Sequence, residues 1–431
     1  MITSSFPICI ALVMLVPLAN AGYALIHIGF GRARGAAFAA FSSMVVLAVA
    51  AIAYCAFGFS LEGYAGGASH SLIIGGRQWN WIASERFLLR GVTFDSSGKT
   101  LAMGLQIFTV GLAALIPLSA GADRWRLRSI CISTALFAGL SYPLFSHWVW
   151  GGGWLHASDL FGGHSFMDPG GASTIHVMGG LTALAIAWIL GPRRGKYTSD
   201  GRPTAIPGHN IVYVLLGCAL LLPGWVALNA VGAMLFAGMP PSSVVLIVVN
   251  TLLCAAGACL TSVVVTRIRF LKPDASLCAN GWVGGLVASS AVCCYLPPIG
   301  ALVSGAIAGL LVTLSVEVIE VYLRTDDPGG AVSVHAVAGI WGLLAVGIFP
   351  HISLMGAESF QQGWFASGQL LPQLVGVATL LGVMLPMSYG LNWLLNLIDP
   401  QRVDERDERK GMDLHELGGV AYPEFVVQPE D

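Results

Sequence analysis

Runs of about twenty mostly apolar residues recur from end to end of this 431-residue chain, and that is the length a bilayer core demands of a helix. Inside lipid every backbone amide and carbonyl must be satisfied within the segment, so such a run spans as an α-helix. Eleven of these runs stand at roughly 7–31, 36–60, 98–120, 129–149, 170–191, 209–233, 242–265, 276–295, 299–323, 330–349 and 369–398. Only 10% of the residues are charged and 55% are hydrophobic, where a soluble domain carries roughly 25% charged residues. The expectation is an all-α membrane protein with eleven transmembrane helices over 1–398 and a polar tail over 399–431.

The loop charges set the orientation. With the N-terminus outside, the inner loops hold Arg32 and Arg34, then Arg124, Arg126 and Arg128, then Arg193, Arg194, Lys196 and Arg202. They continue with Arg267, Arg269, Lys272 and Arg324, and the tail adds Arg402, Arg406, Arg409 and Lys410. That places 17 of the 21 basic residues inside, while Arg77, Arg86, Arg90 and Lys99 share the long outer loop with Glu85 and Asp95. Basic loops stay cytoplasmic, so the chain reads as N-out and C-in. Ala19-Asn20-Ala21 has the form of a signal-peptidase site, yet the apolar pattern continues through it to Phe30 and reads as span one. Trp79, Trp81 and Phe87 in the outer loop read as interfacial anchors. The nine cysteines lie in spans with no CxxC pairing and read as packing. Gly191 to Tyr197 lacks P-loop spacing, and no nucleophile–base set or cofactor motif is present, so no enzyme, metal site or cofactor is expected.

Inside this frame one stretch occurs twice. Asp168-Pro-Gly-Gly-Ala-Ser-Thr-Ile-His176 opens span five and Asp327-Pro-Gly-Gly-Ala-Val-Ser-Val-His335 opens span ten. Asp before Pro suits a helix start, because the carboxylate accepts orphan amide protons and proline is preset for the first turn. Span five starts from outside and span ten from inside, so the two run antiparallel. Spans one to five and six to ten therefore read as an inverted repeat about an axis in the membrane plane. Each histidine lies eight residues past its aspartate, or about 12 Å along an α-helix. In a core about 30 Å thick that leaves the two imidazoles about 6 Å apart in depth, near the midplane.

An ionisable group at that depth is costly and by default functional. For either histidine taken alone, a packing role bonded to a neighbouring helix is an equal reading; two placed by symmetry at one depth favour function. A bare cation in an apolar lumen faces a desolvation cost of many kcal/mol. Neutral imidazoles offer one donor and one acceptor each, which suits a small neutral molecule or a relayed proton. Trp150, at the outer end of span four, offers an indole face that attracts a desolvating cation by about 1–2 kcal/mol. Trp148 and Trp154 read better as aromatic-belt residues.

With these residues in hand, the chain resembles the ammonium transporter (Amt/Mep/Rh) family, as a divergent prokaryotic member. The resemblance rests on Val149-Trp150-Gly-Gly-Gly, the two Asp-to-His stretches, Gly191 to Tyr197, Ala205-Ile-Pro-Gly-His-Asn210, Gly224-Trp225 with Asn229-Ala230, and the tail from Arg402 to Tyr422. It implies a homotrimer in the cytoplasmic membrane, each protomer with its own pore, and ammonium as substrate. By position, His176 and His335 are the pore pair, Trp150 recruits ammonium, and Asp168 stabilises the vestibule. Trp225 and Asn229 are further pore candidates. The tail is implied to be regulatory, and the cytoplasmic face to meet a PII-type signalling protein; no nucleic-acid partner is implied.

The departures bear on the mechanism. The family's stacked phenylalanine gate is replaced by Leu105, aligned through Thr109-Val110-Gly111-Leu112, and by Leu228. A serine that helps hold ammonium is replaced by Gly232, and the acid common before the second histidine by Gly330. Leucines keep the constriction apolar but lack a π-face. The expected function is ammonium/ammonia transport, with deprotonation at the outer mouth; the alternatives are a transport-silent ammonium sensor and a pore for another small neutral molecule such as carbon dioxide.

Overall fold

The computed structural model describes residues 2–64, 67–349 and 368–425. Among the described residues ten helices are long and apolar enough to cross a membrane: Ser5–Phe30, Ala33–Glu62, Gly98–Gly121, Leu127–Val149, Ala172–Leu190, Ile211–Phe236, Pro241–Phe270, Ala275–Val292, Pro298–Tyr322 and Leu370–Ile398. An eleventh, shorter apolar helix runs Val332–Ile348. In chain order they are spans one to eleven, with Val332–Ile348 as span ten. The all-α expectation has one exception. The outer loop folds an antiparallel hairpin, Ser69–Ile74 paired with Arg77–Ala83, because Gly75 and Gly76 take the positive φ its two-residue turn needs.

Local chemistry explains where the spans start. Asn210 Oδ1 accepts the Val212 and Tyr213 amides at 3.0 and 3.2 Å at the head of span six. Asp274 does the same for Leu277 at 2.9 Å ahead of span eight, in each case satisfying amides with no intrahelical acceptor. Lipid is as apolar as leucine, so helix association depends on close packing at small residues. Gly22 of span one faces Leu221 of span six, and Gly224 of span six faces Ala19. Gly305 and Gly309 of span nine sit against Cys254 and Ala258 of span seven.

Trp79 and Trp81 belong to the second strand of the hairpin. They pack with Trp148 and Trp154 into one cluster, with ring centroids 5.2 to 6.1 Å apart. Paired aromatic rings add to their burial, and the Trp148 indole N–H donates to the Trp81 carbonyl at 2.7 Å. Phe87 is exposed. The cysteines are free thiols.

The tail packs on the inner face; its last residues, 426–431, lie outside the described set. Asp413 accepts the Phe38 amide at 2.7 Å and the Ala37 amide at 3.2 Å, so the tail supplies the cap of span two. Glu416 accepts the Leu127 amide at 3.1 Å, at the head of span four. Glu408 takes the Arg194 amide at 2.7 Å. Asp413→Ala is expected to lower stability by about 1 kcal/mol, the usual worth of a cap, and to speed cleavage of the tail in limited proteolysis; an unchanged cleavage rate would mean that the cap does not hold the tail.

Candidate functional site

The duplicated stretch folds differently from a simple capped helix. Asp168 and Asp327 do not sit directly before their helices. The Pro-Gly-Gly segment forms a turn in which Gly171 and Gly330 take φ of +86° and +71°, a region open to glycine at no steric cost. The next six residues, Ala172–Val177 and Val332–Val337, wind as π-helix before the α-helix proper. The Asp168 carboxylate thus caps amides four to six residues on, those of Ala172, Ser173 and Thr174 at 2.6, 2.8 and 3.3 Å, and also takes the Ser173 hydroxyl. Its acceptors are committed to holding this turn. A plain 12 Å rise from aspartate to histidine therefore does not apply.

The juxtaposition of the two histidines nevertheless holds. The His176 and His335 ring centroids lie 5.3 Å apart, at 29° between planes. Both residues are fully buried. Among the described residues, none of their four ring nitrogens has a hydrogen-bond partner. Trp225 stacks on His176 at 4.5 Å and 9°, and Tyr23 meets His335 edge-on at 5.2 Å. The Trp225 indole N–H donates to Ser290 Oγ at 2.9 Å, which fixes that ring as a wall of the site. Spans five and ten cross here through two glycines, each four residues past its histidine. A Cβ on Gly180 would meet the Ala336 backbone nitrogen at 2.5 Å, and one on Gly339 would meet Val177 Cγ2 at 2.6 Å. Ala336 and Val177 each directly follow a histidine, so the contact is reciprocal, as a two-fold axis requires.

Leu105 and Leu228 are both buried in the apolar core. The Asn229 amide nitrogen donates to Thr251 and Ser289, each at 3.0 Å, while its carbonyl oxygen is buried without a partner. At Gly232 a Cβ would run into the Pro169 carbonyl oxygen. The missing serine is thus tied to the backbone of the Asp168 turn. Gly232→Ser is expected to cost about 1–3 kcal/mol by overpacking, read as a lower midpoint in detergent, with no gain in ammonium affinity; a gain in affinity at unchanged stability would contradict this.

At the outer mouth the Trp150 indole N–H donates to the Asp168 carbonyl at 2.8 Å. One face of Trp150 is covered by Phe236, stacked at 4.3 Å and 7°, so that face is closed to a cation. Trp150, Phe236 and Asp168 line an outer cavity of about 200 Å³. Phe236 was not singled out from the sequence; its position four residues past Gly232, one helical turn, was the available signal. Glu62 was also missed, although a carboxylate closing an apolar span is such a signal. It accepts from Ser146 Oγ at 2.6 Å and from Tyr54 and Gln106. Gln106 takes Tyr142 and Thr109 hydroxyls at 2.6 and 2.7 Å, which fixes the turn of span three that carries Leu105.

The inner end is ionic. Arg193 forks onto Asp326 at 2.9 and 3.0 Å and reaches Asp123 at 3.2 Å. Arg124, fully buried, donates to the Gly191 and Asp326 carbonyls at 2.8 and 2.9 Å. Burial raises the Asp326 carboxyl pKa, but the two guanidinium groups outweigh it and bring it to about 2. Basic residues that set the orientation by sequence thus also tie the ends of spans three and five to the lead of span ten. Among the described residues no group of three or more His, Cys, Asp or Glu has a metal-binding arrangement.

An eleven-span helical protein with antiparallel halves joined at a buried imidazole pair is a membrane transporter or channel by architecture. Residues 6–422 match the profile of the Ammonium Transporter Family. The chain is 35% identical over 426 residues to "Ammonium transporter Amt2" of Archaeoglobus fulgidus, covering 96% of this chain and 86% of that one. It is 28% identical to the "Ammonium transporter" of Bacillus subtilis, covering 96% and 97%. Among solved structures it superposes on "Sensor Amt Protein" with a TM-score of 0.85 at 26% identity, covering 96% and 98%. Mep2 of Candida albicans shares the fold, with a TM-score of 0.79 at 22% identity and coverage of 93% and 86%. The chain belongs to the ammonium transporter family. It is a multi-pass protein of the cell membrane and not an enzyme, and ammonium transport is the activity its family carries.

Proposed function

We propose that this protein moves ammonium by taking it at the outer mouth, removing a proton there, and passing ammonia along an apolar path to the imidazole pair. The observation that carries this reading is the unbonded state of both buried imidazoles. A buried polar group without a partner costs about 1–3 kcal/mol, which a structural histidine avoids by finding one. Rings held 5.3 Å apart with every nitrogen free suit a transient guest that both accepts and donates. Ammonia is such a guest, and the rings can also relay a proton between them. Trp150 recruits the cation with the face away from Phe236, and Leu105 and Leu228 form the apolar constriction between mouth and pair. An ion keeping its charge through that constriction faces the full desolvation cost.

The test is current and uptake in proteoliposomes of the purified protein, challenged with ammonium, methylammonium and potassium. Responses to the first two and none to potassium are expected. The likeness to a protein titled as a sensor favours one second reading, a transport-silent receptor reporting through the docked tail; ammonium binding without flux would select it. Flux of carbon dioxide without flux of ammonium would select the neutral-gas pore. A homotrimer and a PII-type partner at the cytoplasmic face belong to the same proposal. Native mass spectrometry and pull-down with a purified PII protein test them.

A further inference from the structure

The two repeats satisfy their aspartates unequally, and the inner one keeps a free carboxylate oxygen. In the outer stretch the Ala172 amide donates to Asp168 Oδ1 at 2.6 Å, and Ser173 adds its hydroxyl to Oδ2. In the inner stretch that position is Val332, which has no hydroxyl to give. Asp327 Oδ2 takes the Val332 amide at 2.7 Å, while Oδ1 is buried and unpartnered. One residue on, the Ser333 hydroxyl is buried and likewise unpartnered. Asp327, Ser333 and Asn280 line a cavity of about 560 Å³ at the inner end. The Asn280 amide nitrogen stands 2.6 Å from where a Cβ on Gly330 would be, in the space an acidic side chain there would need.

We infer that Asp327 is the inner proton donor that re-forms ammonium as ammonia leaves the imidazole pair, with Ser333 Oγ as a second ligand for the nascent cation. This rests on the functional reading above. In the step, the ammonia lone pair takes the Asp327 carboxyl proton: an N–H bond forms, the O–H bond breaks, and ammonium departs from the carboxylate. The carboxylate then regains a proton from cytosolic water, and the same steps run backwards for outward flux. The other ionisable groups around it are engaged. Asp326 is held by Arg193 and lies 3.8 Å from Arg124, Lys196 pairs with Glu320, and Asp274 caps span eight. Tyr23 faces it from span one, beside His335. Burial, together with the neighbouring Asp326 charge, pushes the Asp327 carboxyl up to about 6 against its own hydrogen bonds and Arg124. That lies near the pH of a cytosol, where a general acid works best.

The experiment is uptake of radiolabelled methylammonium into proteoliposomes with the outer pH held and the inner pH varied from about 5 to about 8. Wild-type uptake is expected to fall roughly tenfold as inner pH rises through the carboxyl's range. Asp327→Asn keeps a capping side chain and is expected to flatten that profile. Val332→Thr supplies the hydroxyl that Ser173 supplies outside, and is expected to flatten it too while leaving the carboxylate in place. A profile unchanged in Asp327→Asn overturns the inference. Should wild type take up nothing at any pH, the functional reading fails separately. Infrared difference spectra on ¹³C-aspartate-labelled protein then still report on Asp327: a carboxylic-acid band that titrates in wild type and is missing in Asp327→Asn is expected, and its absence from wild type overturns the inference.

Discussion

With His176 and His335 both replaced by alanine, ammonium-evoked current in proteoliposomes is expected to fall by about tenfold or more, while the thermal midpoint moves little. The second half of that expectation follows from opposed terms. Alanine removes two imidazoles whose nitrogens have no protein partner, relieving about 1–3 kcal/mol for each unsatisfied group. Against this, the stack of His176 on Trp225 is lost, worth about 0.5–1.5 kcal/mol, and a cavity opens. A ring kept for packing would show the reverse pattern, a large loss of stability at unchanged current. The size of the functional loss follows from what positioned proton transfer contributes, about 10² to 10⁴ in rate. Current equal to wild type in a folded double variant would remove the relay from the mechanism.

Gly180→Ala combined with Gly339→Ala is the second large effect. Each added methyl meets an atom of the opposite span: Ala336 backbone nitrogen at 2.5 Å for Gly180, and Val177 Cγ2 at 2.6 Å for Gly339. Backbone cannot rotate away as a side chain can, so the spans must separate or unwind at the crossing. The expected stability cost is about 1–3 kcal/mol per site, summed imperfectly because the two contacts share one interface. Since each clash lies one residue past a histidine, the ring separation must grow as well, and flux is expected to drop with it. Single variants are expected to show intermediate losses in both midpoint and current. If both alanines fit without change in either, the crossing is looser than these distances state.

Eleven spans, the antiparallel halves and the meeting of the two histidines were legible because lipid allows so few solutions. Apolar length, loop charge and a nine-residue duplication each carry through to geometry when the solvent is a bilayer. The route from aspartate to histidine was not legible. Gly171 and Gly330 at positive φ, followed by six residues of π-helix, break the constant rise on which any reading by spacing depends. The tryptophan cluster was not legible for a related reason: the hairpin that carries Trp79 and Trp81 toward Trp148 and Trp154 is set by long-range contacts. The covering of Trp150 by Phe236 needed spans four and six to be brought together. Glu62 and Gln106 meet only because spans two and three close over Tyr142.

The amino-acid order alone determined that the chain crosses a membrane eleven times, which way its halves run, and that two imidazoles come together. Hydropathy, charge and repetition are properties of composition along a line, and the bilayer turns them directly into vertical position. Lateral position was decided by tertiary structure alone: which faces meet, which ring nitrogens stay free, and which carboxylate keeps an unpaired oxygen. Those depend on contacts between residues up to hundreds of positions apart, where a single glycine settles how closely two helices approach.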